Sequence, residues 1–266
     1  MERVRLTTLA ERFDAFLIDQ YGVLRDDSRV YPLAPAALAS LRDRGKRLII
    51  LSNSGRSATD NAIRLAEAGI APSNYDYFVT SGEVAYMLLL QEENVDVSAI
   101  FEIASGRPTD LPERLGRPRC STPTAAGLIL ISGVETERVS MEAYGQMLAR
   151  SAAARVPAIC TNPDLQKIGP GGALFPGAGA LAQLYQDLGG PVRRIGKPDR
   201  QIYDHALDLL PGIAQERILC IGDSPAHDIA GARAANLASC LVETGVGSSA
   251  DDQGPKADFI MSAFIP

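Results

Sequence analysis

The chain has 266 residues, 46% hydrophobic and 22% charged, which is enough apolar material for one large domain or two modest ones and too much for a disordered chain. Its formal net charge of -6 argues against a nucleic-acid partner, because nonspecific binding to phosphate backbones rests on a basic surface. No apolar run approaches the roughly 20 residues needed to cross a bilayer, and the opening MERVRLTTLAERFD lacks the apolar stretch of a signal peptide, so the expectation is a cytoplasmic protein without membrane contact.

The first apolar run, Phe16-Leu17-Ile18, ends at Asp19. A helical pattern over Pro35 to Arg44 stops at Gly45, a second run, Leu48 to Leu51, ends at Ser52, and a second helical pattern, Ser57 to Ala68, stops at Gly69. Short apolar runs suit strands buried on both faces, and a polar start with a glycine just past the end suits a helix. This β-α-β-α order predicts an α/β protein with a parallel sheet, right-handed crossovers and a ligand crevice at the carboxyl ends of the strands.

From about Glu83 to Gly190 the chain reads as a separate block with its own apolar runs at Ile100 to Ala104, Gly127 to Ser132 and Val156 to Cys160. The expected domains are 1–82 plus 188–266, and an inserted 83–187. Thr80-Ser81-Gly82-Glu83 and Gly189-Gly190-Pro191 read as hinges, and an inserted domain of this kind can act as a lid. Gly169-Pro170-Gly171-Gly172 and Pro176-Gly177-Ala178-Gly179 mark a glycine-rich region within it. Lys197-Pro198 follows the insert, and a last run, Ile218 to Ile221, leads into Gly222-Asp223, with Asp228 shortly after. The cysteines Cys120, Cys160, Cys220 and Cys240 are widely spaced without a CxxC pair and read as buried free thiols, not zinc ligands.

Phosphoryl transfer asks a protein for a nucleophile, acidic ligands for Mg²⁺, a cation, and small hydroxyl or amide donors. Each type stands here at a strand end or just after one. Asp19 is the candidate nucleophile, Asp223 and Asp228 suit a hard cation that prefers oxygen, and Lys197 offsets their charge. Ser52 and Asn53, near a helix start, suit phosphate oxygens. Singly these signals are ordinary: a lone Asp caps a turn, a lone Lys is a solvated charge, and Ser52 to Ser54 fits an N-cap. Their order along the chain is what points to chemistry.

Asp19-x-x-Gly22-Val23-Leu24, Ser52-Asn53, Lys197-Pro198, and Gly222-Asp223 with Asp228 resemble, in order and separation, the four motifs of the haloacid dehalogenase superfamily. Thr161-Asn162-Pro163-Asp164 and Pro176-Gly177-Ala178-Gly179 resemble the class IIA cap of nitrophenylphosphatase-like and nucleotide or sugar monophosphatase members. The resemblance spans nearly the whole chain. It implies a Rossmann-like core with an inserted α/β cap, Mg²⁺ dependence, an aspartyl-phosphate intermediate and a small phosphorylated metabolite as substrate. It also implies substrate selection near Asn162 and Asp164, and a homodimer.

The chain departs from the family at Tyr21. Most phosphatases of the superfamily carry there a second aspartate that protonates the leaving group and later activates water, whereas this chain reads Asp19-Gln20-Tyr21. In the family that position gives Mg²⁺ a backbone carbonyl, so Tyr21 remains a metal-binding position. Losing the acid/base group costs roughly 3 to 5 kcal/mol of barrier, which should slow substrates with poor leaving groups most. The tyrosine also resembles the motif of hydrolytic 2-haloacid dehalogenases, but these lack the paired metal-site aspartates and carry a different cap. Phosphoryl transfer therefore ranks first, dehalogenation second, and a non-catalytic phosphometabolite-binding domain third. His227 reads as a surface or supporting histidine in preference to a replacement acid, and Arg25, Arg29 and Arg56 as ordinary exposed arginines.

Overall fold

A computed structural model describes residues 1–26, 28–92, 98–168, 173–245 and 254–266. The chain begins with β1 (Glu2–Arg3), α1 (Leu6–Arg12), β2 (Ala15–Ile18), α2 (Ala34–Asp43), β3 (Arg47–Ser52), α3 (Ala58–Glu67) and β4 (Tyr77–Thr80). It continues through α4 (Ser81–Gln91), β5 (Ile100–Ile103), α5 (Leu111–Arg114), β6 (Leu128–Ile131), α6 (Met141–Ala153), β7 (Ala158–Cys160), β8 (Gln166–Ile168), β9 (Leu174–Pro176), α7 (Ala178–Asp187) and β10 (Val192–Arg194). The last stretch holds α8 (Arg200–Asp208), β11 (Ile218–Gly222), α9 (Ala230–Ala234), β12 (Ala238–Val242) and β13 (Phe259–Met261). The expected helical patterns are α2 and α3, and Gly45 and Gly69 beyond them sit at φ of 71° and 109°, where a Cβ is penalised.

One compact unit comprises Met1–Ser52, Ala58–Val79 and Lys197–Pro266. Its seven-stranded sheet runs β1-β13-β12-β11-β2-β3-β4, and β2 pairs in parallel with both β3 and β11. All four residues of β2 and all five of β11 are buried, as expected for strands covered on both faces. Phe16, Ile18, Leu48, Ile50, Leu219 and Ile221 join Leu38 and Leu41 of α2 in one apolar cluster. From β2 the sheet grows one way through β3 and β4, and the other way through β11 to β13. That reversal is a topological switch point, where side chains at the carboxyl ends of adjacent strands converge.

The opposite end of the same strands is tied by Asp14. Its carboxylate accepts from Arg217 Nε and Nη2 at 2.8 and 2.9 Å and from Lys46 Nζ at 3.3 Å. Its backbone also bonds Arg217 and Arg47 just before β11 and at the start of β3. The Arg217 fork, aided by Lys46, lowers the Asp14 pKa to about 2. A lowered pKa adds stability above the unfolded value near 4, and that contribution disappears as pH falls through about 2. The pair is solvent-exposed, so Asp14→Asn is expected to cost only a few tenths to about 1 kcal/mol at neutral pH. Thermal melts should show this difference between wild type and variant at pH 7 and lose it near pH 2; a difference that grows on acidification would refute the assignment.

The second unit comprises Asn53–Ser57 and Thr80–Gly196. Its parallel sheet runs β10-β7-β6-β5, with β8 and β9 forming a separate antiparallel pair. β5, β6 and β7 are the expected apolar runs, and α6 and α7 pack Tyr144, Leu148, Leu181 and Tyr185 on Ile129, Ile131 and Cys160. The boundary expected at 187 falls too early. Val192, Arg193 and Arg194 pair with Ala158, Ile159 and Cys160, so the chain folds with this unit as far as Gly196. The strand was missed because it is a partly exposed sheet edge with two arginines in three residues. The glycine-rich stretch 169–172 lies outside the described residues. All four cysteines are free, with Cys160, Cys220 and Cys240 buried. Among the described residues, no helix is long and apolar enough to cross a membrane.

Candidate active site

Three neighbouring strands of the first unit deliver acidic or hydroxyl residues at their carboxyl ends. Asp19 follows β2 and continues its pairing, with its N–H donating to the Ile221 carbonyl at 2.8 Å. Asp223 follows β11, and Ser52 closes β3. Asp228 stands in a wide turn over Pro225–Ile229, where Asp228 and Ile229 both donate backbone N–H groups to the Ser224 carbonyl.

The turn after Asp19 explains the spacing to Gly22. Gly22 has φ of 79°, and a Cβ there would collide with the Asp223 carboxylate. Val23 and Leu24 then enter the core and anchor the turn. Gly222 and Gly245 allow the same kind of approach, the first by the Asp228 side chain and the second by Asp223.

Asp19, Asp223 and Asp228 are all buried, and each contributes a carboxylate oxygen to a group lying within 4.8 Å of one another. Lys197, 3% exposed, reaches Asp19 Oδ1 at 2.6 Å and Asp228 Oδ1 at 2.7 Å. The Ser224 N–H holds Asp228 Oδ2 at 3.0 Å. Burial raises the Asp19 pKa well above the usual range against the pull of Lys197, and Asp228 and Asp223 push it further up. Burial also opposes the charge on Lys197, but Asp19 and Asp228 outweigh it and raise that pKa. The firmer of the two is the lysine's charge, because it faces two opposite charges while Asp19 faces two like ones.

Three carboxylates gather around the ammonium of Lys197 in this buried cluster, so acidic groups outnumber the basic one there. Such an excess is costly away from water unless a cation joins it. The donor set, all carboxylate oxygen, is that of a hard divalent ion.

Other expected residues lie in different settings. The Ser52 hydroxyl donates to Gln20 Oε1 at 3.3 Å, so Ser52 stays in the first unit beside the turn. Asn53 groups with the second unit, where its Nδ2 donates to Asp164 Oδ1 at 2.9 Å, and the Asp164 N–H donates to Asn162 Oδ1 at 3.2 Å. Gly177 and Gly179 let α7 begin against this loop, since a Cβ at either would strike the carbonyls of Pro163 or Asp164. Tyr21 is 43% exposed, with the Arg25 guanidinium 5.3 Å from its ring centroid. Arg56 donates to the Arg107 and Pro108 carbonyls, and His227 Nδ1 lies 3.0 Å from Ser224 Oγ. The sequence reading missed Gln20, Ser224 and Gly245. Only Gly245, a glycine soon after an apolar run, carried any signal.

Residues 16–108 match the family of haloacid dehalogenase-like hydrolases, and residues 194–264 match the HAD-hydrolase-like family. The chain is 28% identical over 247 residues to the dihydroxyacetone phosphatase of Corynebacterium glutamicum, covering 89% of this chain and 83% of that protein. It is 26% identical over 238 residues to the ribonucleotide monophosphatase NagD of Escherichia coli, covering 89% of both. Among solved structures, a haloacid dehalogenase-like hydrolase of Brucella suis superposes with a TM-score of 0.86 at 28% identity over 99% of each chain. The 4-nitrophenylphosphatase of Thermotoga maritima shares the fold, with a TM-score of 0.76 at 21% identity over 96% of each chain.

Proposed function

The chain belongs to the haloacid dehalogenase-like hydrolases, in their class IIA phosphatase branch, and on that premise we propose that it is a Mg²⁺-dependent phosphohydrolase of small phosphorylated metabolites. The observation that carries the reading is the bridge of Lys197 between Asp19 and Asp228, with Asp223 in the same buried cluster at the switch point.

Asp19 attacks phosphorus, forming the aspartyl O–P bond as the bond to the leaving oxygen breaks. Water then attacks the aspartyl phosphate, releasing inorganic phosphate and restoring the carboxylate. Asp19, Asp223, Asp228 and the Tyr21 carbonyl would hold Mg²⁺, which when bound would neutralise charge on the phosphoryl oxygens. Lys197 keeps its positive charge between Asp19 and Asp228 and so favours the ionised, nucleophilic form of Asp19. Ser52 and Asn53 hold phosphoryl oxygens, and Asn162 and Asp164 of the inserted unit select the substrate. The Asn53–Asp164 bond supports that division, because it ties a residue adjacent in the chain to Ser52 to the selecting loop.

Two of the relatives are named a dihydroxyacetone phosphatase and a ribonucleotide monophosphatase, and both names fit a small phosphoester as the class of substrate here. Dehalogenation is the weaker reading, since it needs no cation and gives the grouping of three carboxylates no role. We place the enzyme in the cytoplasm, and exposed Leu165 and Leu174 give the second unit an apolar face for a homodimer.

Phosphate release from an aryl phosphate tests the proposal. Activity is expected with Mg²⁺, with a loss of at least roughly a hundredfold in excess chelator and recovery when Mg²⁺ is returned. Turnover indifferent to chelator, or halide release from a 2-haloacid without phosphate release, would overturn it.

A further inference from the structure

Asp228 is held by more than its charge. Its Oδ1 meets Lys197 and its Oδ2 accepts from the Ser224 N–H, while its backbone N–H donates to the Ser224 carbonyl. A further bond comes from α8. The Tyr203 hydroxyl, on a side chain 1% exposed, donates to the Asp228 backbone carbonyl at 3.2 Å and lies 3.5 Å from that of His227. The ring packs closely against α9, since a Cβ on Gly231 would collide with the ring and its hydroxyl. Lys197 and Tyr203 belong to one short segment that leads into and along α8, so the same piece of chain grips Asp228 by side chain and by backbone.

A turn of this wide kind is rare, occurs mostly as a single turn and is frequent at functional sites. Two bonds fix how the Asp228 carboxylate is rotated, but its distance from Asp19 and Asp223 depends on where the backbone sits. A buried hydroxyl needs a partner, and this one spends its hydrogen on that backbone.

We infer that Tyr203 is a positioning residue that sets the backbone of Asp228 and thereby the affinity of the carboxylate cluster for Mg²⁺; the inference rests on the metal site of the proposed function. Groups that orient metal ligands directly are worth roughly ten- to a hundredfold in affinity. A hold through the backbone acts one bond further away, so the expected loss is about three- to tenfold.

The test is calorimetric titration of the metal-stripped full chain with MgCl₂ alone, comparing wild type, Tyr203→Phe and Tyr185→Phe. Tyr185 is an apt control, because its ring is also buried and its hydroxyl donates at 2.7 Å to the Val156 carbonyl in the second unit. Both variants lose one buried hydrogen bond and should melt earlier, but only Tyr203→Phe should raise the Mg²⁺ dissociation constant. With Tyr203→Phe, the Mg²⁺ concentration for half-maximal phosphate release should rise by the same factor while kcat at saturating Mg²⁺ stays within about twofold.

A dissociation constant within twofold of wild type for Tyr203→Phe, or an equal rise for Tyr185→Phe, overturns the inference while leaving the metal site standing. A wild type that binds no Mg²⁺ overturns both. Should Tyr203→Phe fail to fold, Gly231→Ala carries the test, because its methyl group displaces the same ring without removing the hydroxyl. The same rise is expected there, and an unchanged constant overturns the inference.

Discussion

Asp19→Asn is expected to lower phosphate release from an aryl phosphate by roughly 10⁴-fold or more, the scale on which removal of a covalent nucleophile is felt. An amide oxygen carries no charge with which to attack phosphorus, and no other carboxylate of the cluster can substitute without moving. Asp223 is packed against Gly22 and Gly245, and Asp228 is held by Lys197 and the Ser224 N–H. The variant should fold, because asparagine has nearly the same shape and its side-chain oxygen can still accept from Lys197. The loss of charge weakens the pairing with Lys197 but relieves the repulsion from Asp223 and Asp228. The melting temperature in chelator should therefore stay close to that of wild type. Measuring turnover and thermal stability on the same preparation separates a lost nucleophile from a lost fold. Retention of more than about 1% of activity by a stable variant would refute the covalent route.

The parts of this protein legible in its sequence are those where burial is continuous. β2, β11 and the Leu48 to Leu51 part of β3 are covered on both faces, so their side chains are apolar and the run stops abruptly at Asp19, beside Ser52, and before Asp223. The same abruptness placed the candidate residues at strand ends, and their order along the chain pointed to chemistry. The shortest elements gave no such signal. β1, β10 and β13 are only two or three residues long, and β10 is a partly exposed edge that carries arginines, so its membership in the second unit depends on pairing with β7 and not on its own residues. Asn53 shows the limit differently. It stands next to Ser52 in the chain, but its side chain bonds Asp164, more than a hundred positions away, and nothing local in Ser52-Asn53-Ser54 distinguishes the two roles. Tyr203 was silent because a tyrosine in a helical pattern reads as core packing, and only the fold reveals which carbonyl its hydroxyl meets.

Tyr21→Asp is the second large effect expected, and it should depend on the substrate. The wild-type turn is closed by the Gly22 N–H donating to the Arg25 carbonyl at 2.8 Å, and Tyr21 is 43% exposed, so an aspartate fits without opening a cavity in the core. An acid at this position protonates the leaving oxygen as its bond to phosphorus breaks. That help matters for an alkoxide and hardly at all for a phenolate already stable in water. The Arg25 guanidinium, now over the Tyr21 ring, would favour the ionised form of a new carboxylate, and this holds the gain below the 10²- to 10⁴-fold range of an evolved general acid. The expected result is a gain of about ten- to a hundredfold in kcat on an alkyl phosphate and less than about threefold on an aryl phosphate. Wild type should correspondingly show a steep fall in rate as the leaving-group pKa rises, flattened in the variant. Equal gains on both substrates would mean that Tyr21 obstructs binding and is not a missing acid. Equal losses would mean that the tyrosine ring itself contacts the substrate, with the family's usual division of labour replaced in this chain by another proton donor.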